Sequence, residues 1–169
     1  VGAGIILDGK IINGAHSACG EVGHIPVRSS EHRVCGCGNI NCLESFTSAN
    51  GLVKTMHRLL KDAGAADRGE FTTIDIFSWL ANGDALAQQC VPETVDYLGS
   101  ALAGVFNTID VERLVIGGGL SVAGVALMVP LTAAIDAHVF PQIREHYTVS
   151  RSGLGNDAGI FGDAAAFLL

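Results

Sequence analysis

The sequence lacks the features that mark membrane, nucleic-acid-binding and repetitive proteins. No apolar run approaches the roughly 20 residues that a membrane-spanning helix requires. Only 16% of the 169 residues are charged, the net charge is −7, and lysine and arginine form no cluster, which argues against nucleic-acid contact by this segment. Internal repeats and low-complexity runs are absent as well. Because 49% of the residues are hydrophobic, we expect one folded cytoplasmic domain that contacts no membrane.

Three of the five cysteines lie close together, and a histidine precedes them in the spacing H-x10-C-x-C-x4-C. The four residues are His24, Cys35, Cys37 and Cys42. Zinc prefers tetrahedral sulfur and nitrogen ligands, and one imidazole with three thiolates fills all four positions. No position then remains for an activated water. We therefore predict a structural zinc ion held by these four side chains.

Two other interpretations of the same segment are a glycine-rich loop with free thiols and a disulfide. Gly36 and Gly38 flank Cys37 and allow the backbone to turn its amides toward the sulfurs. The interpretation as free thiols is disfavoured, because three cysteines so close together with an upstream histidine are typical of a metal site. A disulfide is disfavoured because Cys35 and Cys37 are too close to pair comfortably and five cysteines cannot all pair.

Two motifs around these residues carry a family resemblance. The run GEVGH (20–24) is followed by CGCGNINCLE (35–44), and this pair resembles the GExGH and CxCGxxGCxE motifs of the ROK family, which includes bacterial sugar kinases and sugar-responsive repressors. Asn41 stands where a glycine is usual in that family. The change leaves the predicted zinc ligands intact and affects only the local backbone conformation.

The resemblance extends over nearly the whole chain. The family's glycine-rich hairpin resembles residues 1–14, its strand and triple-glycine loop resemble 110–120, and its closing segment resembles 153–166, where Asp163 replaces a small residue. The resemblance implies an α/β, actin-like fold of the hexokinase and ribonuclease H type, with a zinc-binding loop at about 24–42. We expect residues 1–169 to be the C-terminal lobe of such a protein, without its N-terminal lobe.

The resemblance also implies the site residues. Glu21, His24 and Glu44 would bind sugar hydroxyls, although charge placement alone favours a solvated carboxylate at Glu21 and a helix-start acid at Glu44. The triple glycine Gly117, Gly118 and Gly119 would lie against a nucleotide, and Gly2 and Gly4 are further candidates for the same role. The family's DxGGT phosphate loop and the catalytic Asp of its Asn-Asp pair have no match here, so no catalytic residue is assigned.

Three functions remain open on this basis. The first is an ATP-dependent hexose or N-acetylhexosamine kinase of the glucokinase type, in which the full-length parent binds a pyranose and ATP with Mg²⁺, forms a homodimer, and loses activity when reduced to this chain. The second is the sugar-sensing domain of a ROK-family transcriptional repressor. The third is a zinc-stabilised oligomerisation module that binds no ligand.

Apolar spacing and turn residues also predict the order of the secondary structure. Asp8-Gly9 favours a tight hairpin turn. Asp84 is a candidate N-cap for the long helix that follows it. Pro92 lies within that helix and should kink it or divide it into two abutting helices. The pattern predicts short strands over 1–27, helices over 43–64, 73–80, 84–109, 123–137 and 158–168, and strands over 114–116 and 147–150.

Overall fold

Four short strands and five α-helices are present in residues 1–158, 160 and 161, the part of the chain that this computed structural model describes. The strands are β1 (Ile6–Leu7), β2 (Lys10–Ile11), β3 (Arg113–Ile116) and β4 (Thr148–Arg151). The helices are α1 (Glu44–Thr47), α2 (Ala49–Asp62), α3 (Thr73–Ala81), α4 (Ala87–Ile109) and α5 (Val125–His138). None of these helices is long and apolar enough to cross a membrane.

The predicted hairpin is confirmed at β1 and β2. The strands pair antiparallel with Ile6 opposite Ile11, and Asp8 and Gly9 between them have φ values of 50° and 73°. Positive φ at both central residues is the geometry that Asp-Gly favours in two-residue hairpin turns. The strand expectation fails farther along, because residues Val22–His24 form a 3-10 turn in which the His24 amide donates to the Glu21 carbonyl over 3.0 Å.

The helix predicted from residue 43 is divided at Ser48. This residue is extended, with ψ 168°, and its hydroxyl accepts a hydrogen bond from the amide of Gly51 as the N-cap of α2. A Cβ at Gly51 would lie only 2.5 Å from the carbonyl carbon of Phe46, so glycine permits the close approach of α1 and α2. Gly64, with φ 59°, follows the end of α2 as predicted.

Pro92 lies within a single helix, so the expectation of two abutting helices is wrong. The carboxylate of Asp84 accepts hydrogen bonds from the amides of Leu86 and Ala87 over 3.0 and 2.9 Å, which satisfies amide donors at the start of α4, as expected of a capping residue. Val91, adjacent to the proline, is 2% exposed. Burial of the apolar face of α4 therefore offsets the roughly 3 kcal/mol that an interior proline costs.

The two C-terminal strands form a parallel pair, with Leu114 opposite Val149. Helix α5 lies between them in the sequence and packs closely on α4. The two helices are so close at Gly99 that an added Cβ there would lie 2.4 Å from the Cβ of Ala134. The core lies mainly among α2, α3, α4 and α5. This β-α-β arrangement confirms the α/β class. Most of the predicted final helix over 158–168, including Asp163, lies outside the described residues.

Candidate metal and sugar site

The four predicted ligand residues converge on one point. The ligand atoms of His24, Cys35, Cys37 and Cys42 all lie within 4.8 Å of one another. His24 Nδ1 is 3.7 Å from Cys35 Sγ, and the sulfurs of Cys37 and Cys42 are 3.6 Å apart. A tetrahedral zinc site with Zn–S bonds of about 2.3 Å has sulfur pairs about 3.7 Å apart, whereas a disulfide bond is about 2.05 Å long. The arrangement therefore fits a tetrahedral metal and not a disulfide.

Short backbone bridges bring these residues together. Val34 pairs antiparallel with Ile40, which places Cys35 and Cys37 on a tight loop. Pro26 pairs antiparallel with Cys42, which brings the segment after His24 beside the last cysteine. The spacing seen in the sequence thus produces a closed loop through main-chain contacts that lie directly beside the ligands.

Asn41 takes the backbone conformation that glycine would supply. Its φ is 56°, in the left-handed region that asparagine tolerates better than most residues with a side chain. The side chain then accepts a hydrogen bond from the Arg33 amide over 2.9 Å and donates to the Glu31 carbonyl over 2.7 Å. The departure from the usual glycine therefore retains the turn and adds side-chain hydrogen bonds that glycine cannot make.

Without a metal, the pKa values of two of the thiols are shifted in opposite directions. A hydrogen bond from the Cys37 backbone is the main cause that lowers the pKa of Cys35 to about 7, against an opposing effect of burial. Burial, followed by hydrogen bonding with Cys37, raises the pKa of Cys42 to about 12. Three adjacent thiolates repel one another, and metal coordination is what deprotonates such a group of thiols. The donor set therefore suits a divalent cation.

His24 connects the cysteine cluster to two carboxylates. Its Nδ1 faces Cys35, while its Nε2 lies 3.6 Å from a carboxylate oxygen of Glu21. Glu44 is the first residue of α1, and its carboxylate accepts a hydrogen bond from the Val1 amino group. That amino group and, to a smaller extent, His24 lower the pKa of Glu44. The three predicted sugar-binding residues thus lie at one edge of the cluster.

This edge is accessible to solvent. The side chains of Glu21, His24 and Glu44 are 60%, 36% and 37% exposed, whereas Cys35 and Cys42 are buried. A ligand can therefore reach the carboxylates and the outer imidazole nitrogen, whereas Cys37 is the one cysteine of the cluster that is exposed. Chemically, the edge offers two hydrogen-bond acceptors and one ring nitrogen that a metal on Nδ1 would leave as a donor.

The predicted nucleotide-binding glycines occupy two other segments. The triple glycine Gly117–Gly119 follows β3 at the carboxyl end of the parallel pair, and a Cβ at Gly118 or Gly119 would meet no atom within 4 Å. Gly2 and Gly4 are equally open. They flank Ala3, whose amide donates to the Gly20 carbonyl over 2.7 Å, so they lie beside the GEVGH motif. Ligands in parallel α/β sheets bind beyond the carboxyl ends of the strands.

Sequence reasoning missed Arg33. This residue lies two positions before Cys35, yet only 7% of its surface is exposed and its guanidinium ion-pairs with Glu31 over 2.8 Å. Charged residues are rarely buried unless they are paired. A lone arginine near a glutamate carries no motif signal, so only its tertiary environment reveals its role.

Replacing Cys37 with serine is expected to lower both the zinc content and the unfolding temperature. Cys37 is exposed, so the substitution removes a ligand without opening a core cavity. A metal that binds only the folded state stabilises it in proportion to its affinity. Metal analysis and thermal unfolding of Cys37→Ser measure both effects. Cys19→Ser, outside the cluster, is the matched control and should retain zinc; equal zinc content in the two variants would refute Cys37 as a ligand.

The family model of the ROK family matches residues 1–168. Among curated proteins, a glucokinase of Halalkalibacterium halodurans is 36% identical over 96% of this chain and 51% of that protein. The DNA-binding transcriptional dual regulator NagC of Escherichia coli K12 is 32% identical over 94% of this chain and 39% of that protein. The chain spans about half the length of the kinases it matches.

Solved structures show the same relationship. The structure of a ROK family glucokinase from Streptomyces griseus, in complex with glucose and AMPPNP, superposes with a TM-score of 0.84 and 26% identity over 98% of this chain and 56% of that one. The fold of the described residues is therefore that of the matched part of a sugar kinase, in agreement with the α/β, actin-like expectation. That solved protein binds a sugar and an ATP analogue.

Proposed function

Because this chain belongs to the ROK family, we propose that it is the C-terminal, sugar- and zinc-binding lobe of an ATP-dependent hexose or N-acetylhexosamine kinase of the glucokinase type. The observation that carries the proposal is the position of His24, which faces the cysteine cluster with Nδ1 and Glu21 with Nε2. One ring thus links a metal site to a group of sugar-binding side chains.

Zinc would be held by His24, Cys35, Cys37 and Cys42. When bound, it supplies charge that keeps the thiols ionised and a fixed point for the imidazole, and its filled coordination offers no site for an activated water. The side chains of the protein would make the contacts with the sugar. Coordination through Nδ1 leaves Nε2 of His24 protonated, so this nitrogen donates a hydrogen bond outward.

Glu21, His24 and Glu44 would together bind a pyranose. An ionised carboxylate accepts hydrogen bonds from two hydroxyl groups, which suits the adjacent hydroxyls of a sugar ring. Glu44 lies at the start of α1, immediately after two fully buried residues, Cys42 and Leu43. A glutamate carboxylate is ionised at neutral pH, so Glu44 is in the accepting form. These contacts position the sugar and take no part in bond breaking.

ATP with Mg²⁺ would lie against the triple-glycine loop Gly117–Gly119, with Gly2 and Gly4 as further candidates. The open space beside Gly118, Gly119, Gly2 and Gly4 supports this proposal, since a Cβ at any of these four would meet no atom within 4 Å. The base that accepts the proton of the sugar hydroxyl would come from an N-terminal lobe. Phosphoryl transfer in such an enzyme depends mostly on positioning and charge stabilisation. The complete protein would be a cytoplasmic homodimer.

A sugar-sensing repressor is the second candidate, and the similarity to NagC favours it. The same sugar site would then bind an inducer, and the N-terminal part would carry a helix-turn-helix in place of a catalytic aspartate. About ninety residues of sequence upstream of Val1 distinguish the two candidates. A DxGGT loop with an Asn-Asp pair indicates the kinase, and a basic helix-turn-helix indicates the repressor.

The isolated 169-residue chain is expected to show no kinase activity, whereas the two-lobe protein phosphorylates a hexose or N-acetylhexosamine. The reason is that the chain has no match to the first phosphate loop or the proton acceptor. A coupled assay with ATP and a sugar panel measures both proteins. Turnover by the isolated chain after contaminating kinases are removed would refute the proposal that catalysis requires the N-terminal lobe. A two-lobe protein that is inactive on every sugar would favour the repressor.

A further inference from the structure

We propose that Arg33 and Asn41 are positioning residues that keep the cysteine loop, residues 35–42, in its metal-binding shape when no metal is bound. The inference rests on the proposed zinc site but concerns a different property of it. Zinc would enter a preformed site instead of folding the loop around itself. Zinc sites that lack such support are commonly unfolded without metal, so the two alternatives differ in a measurable way.

Arg33 is held by hydrogen bonds from every one of its N–H groups. An arginine side chain has five N–H donors in a fixed planar arrangement. Nε and Nη2 donate to the two carboxylate oxygens of Glu31, each over 2.8 Å, and Nη2 also donates to the Thr55 hydroxyl over 3.0 Å. Nη1 donates to the carbonyls of Ser45 and Gly51 over 3.0 and 3.1 Å. The guanidinium therefore joins the start of the loop to both α1 and α2.

Packing and charge reinforce this position. The Arg33 guanidinium lies 4.2 Å above the ring centroid of Phe46, which is fully buried, and cation–π attraction is strongest where water is excluded. Glu31 is itself paired with Arg58, whose Nε is 3.2 Å from it. Arg58 also pairs with Glu93 of α4 over 2.5 Å. None of these contacts includes a metal ligand, so removal of the metal does not break them.

Asn41 closes the other side of the loop. Its backbone amide donates to the Arg33 carbonyl over 2.8 Å, and its side-chain oxygen accepts from the Arg33 backbone amide over 2.9 Å. The Asn41 side chain also donates to the Glu31 carbonyl over 2.7 Å. The segment that enters the loop and the segment that leaves it are thus joined one residue before Cys42, the last proposed ligand. The loop is fixed at its base without the metal.

The consequence extends to the proposed sugar site. One of the two carbonyls that accept a hydrogen bond from Arg33 Nη1 belongs to Ser45, the residue after Glu44. The same guanidinium packs on Phe46, two residues after Glu44. The backbone at Glu44 is therefore held by Arg33 as well as by the proximity of Cys42. We expect Glu44 to keep its position in the metal-free protein.

Amide hydrogen exchange on the metal-free chain, kept reduced with an excess of chelator, tests the inference. The diagnostic amides are those of Cys35, Asn41 and Leu43, which donate to the carbonyls of Asn39, Arg33 and Ile25. In the wild-type protein they should remain protected without metal. In Arg33→Met they should exchange at least tenfold faster, and zinc affinity should fall about tenfold, because a loop that is competent in one molecule in ten binds about tenfold more weakly.

Arg68→Met is the matched control. Arg68 also ion-pairs with a carboxylate, Asp84, over 2.7 Å and lies 4.5 Å from the ring centroid of Trp79, but it contacts no part of the loop. Its replacement should change neither the diagnostic amides nor zinc affinity. An equal change in the two variants would show a general loss of stability and would overturn the inference.

Asn41→Gly keeps the inference falsifiable if Arg33→Met does not fold. Glycine accepts the φ of 56° at this position and removes only the side-chain hydrogen bonds, so exchange at Cys35 should still accelerate and zinc affinity should still fall. Metal-free wild-type protein that exchanges these amides as fast as an unstructured peptide would overturn the inference. Failure of the wild-type protein to bind zinc would refute the proposed metal site. It would not affect the exchange result on the loop, because exchange is measured without metal.

Discussion

Replacing His24 with alanine is expected to abolish zinc and sugar binding together in the two-lobe protein. The reason is that one ring would serve both proposed sites: Nδ1 lies 3.7 Å from Cys35 Sγ, and Nε2 lies 3.6 Å from the Glu21 carboxylate. Loss of the ring removes a metal ligand and a donor to the sugar. Metal analysis of the purified variant and calorimetric titration with the preferred sugar measure the two losses separately.

An exposed histidine outside the cluster provides the control for this experiment. His146→Ala should retain both zinc and sugar binding, because His146 lies on the surface before β4. Sugar affinity that survives in a zinc-free His24→Ala variant would contradict the shared role of the ring. Zinc retained at one ion per chain in that variant would remove His24 from the ligand set.

Replacing Glu44 with alanine is expected to weaken sugar binding about tenfold to a hundredfold while zinc content stays unchanged. Loss of a charged acceptor from a sugar hydroxyl costs about 1.5 to 3 kcal/mol, which corresponds to that range of affinity. Glu44 is not part of the cluster of His24, Cys35, Cys37 and Cys42, so its loss should not release a metal bound there. Calorimetry on zinc-loaded protein measures the change.

The matched control for Glu44 is Glu70→Ala, which removes an exposed glutamate from the segment before α3. This variant should bind the sugar as the wild-type protein does. If Glu44→Ala binds the best sugar as tightly as Glu70→Ala does, Glu44 is only an acid at the start of a helix. The sugar-binding assignment of that residue would then be wrong.

The sequence predicted those parts of the site that depend on short spacing. The cluster of one histidine and three cysteines lies within nineteen residues, and the hairpin at Asp8-Gly9 depends on two residues that favour positive φ. In both cases, local covalent geometry restricts the outcome to a few conformations. The order of the main helices and strands was also predictable, because apolar periodicity identifies the buried face of each element.

The features that the sequence did not reveal depend on contacts between distant segments. Pro92 remains inside one helix because the apolar residues around it are buried against neighbouring helices. The break at Ser48 is a local exception, because it accompanies the close approach of the consecutive helices α1 and α2 that Gly51 permits. The role of Arg33 depends on carbonyls 12 and 18 residues away. Propensity and spacing describe each segment alone, so tertiary packing decides these cases.

Calorimetric titration of the zinc-loaded two-lobe protein with glucose and the common N-acetylhexosamines tests the central claim most directly. That claim is that a structural zinc site orders Glu21, His24 and Glu44 to bind a pyranose. The account predicts saturable binding of at least one of these sugars, with one sugar per zinc-loaded chain. Protein that contains one zinc per chain, is correctly folded and binds none of these sugars would contradict the account and would leave only a zinc-stabilised module.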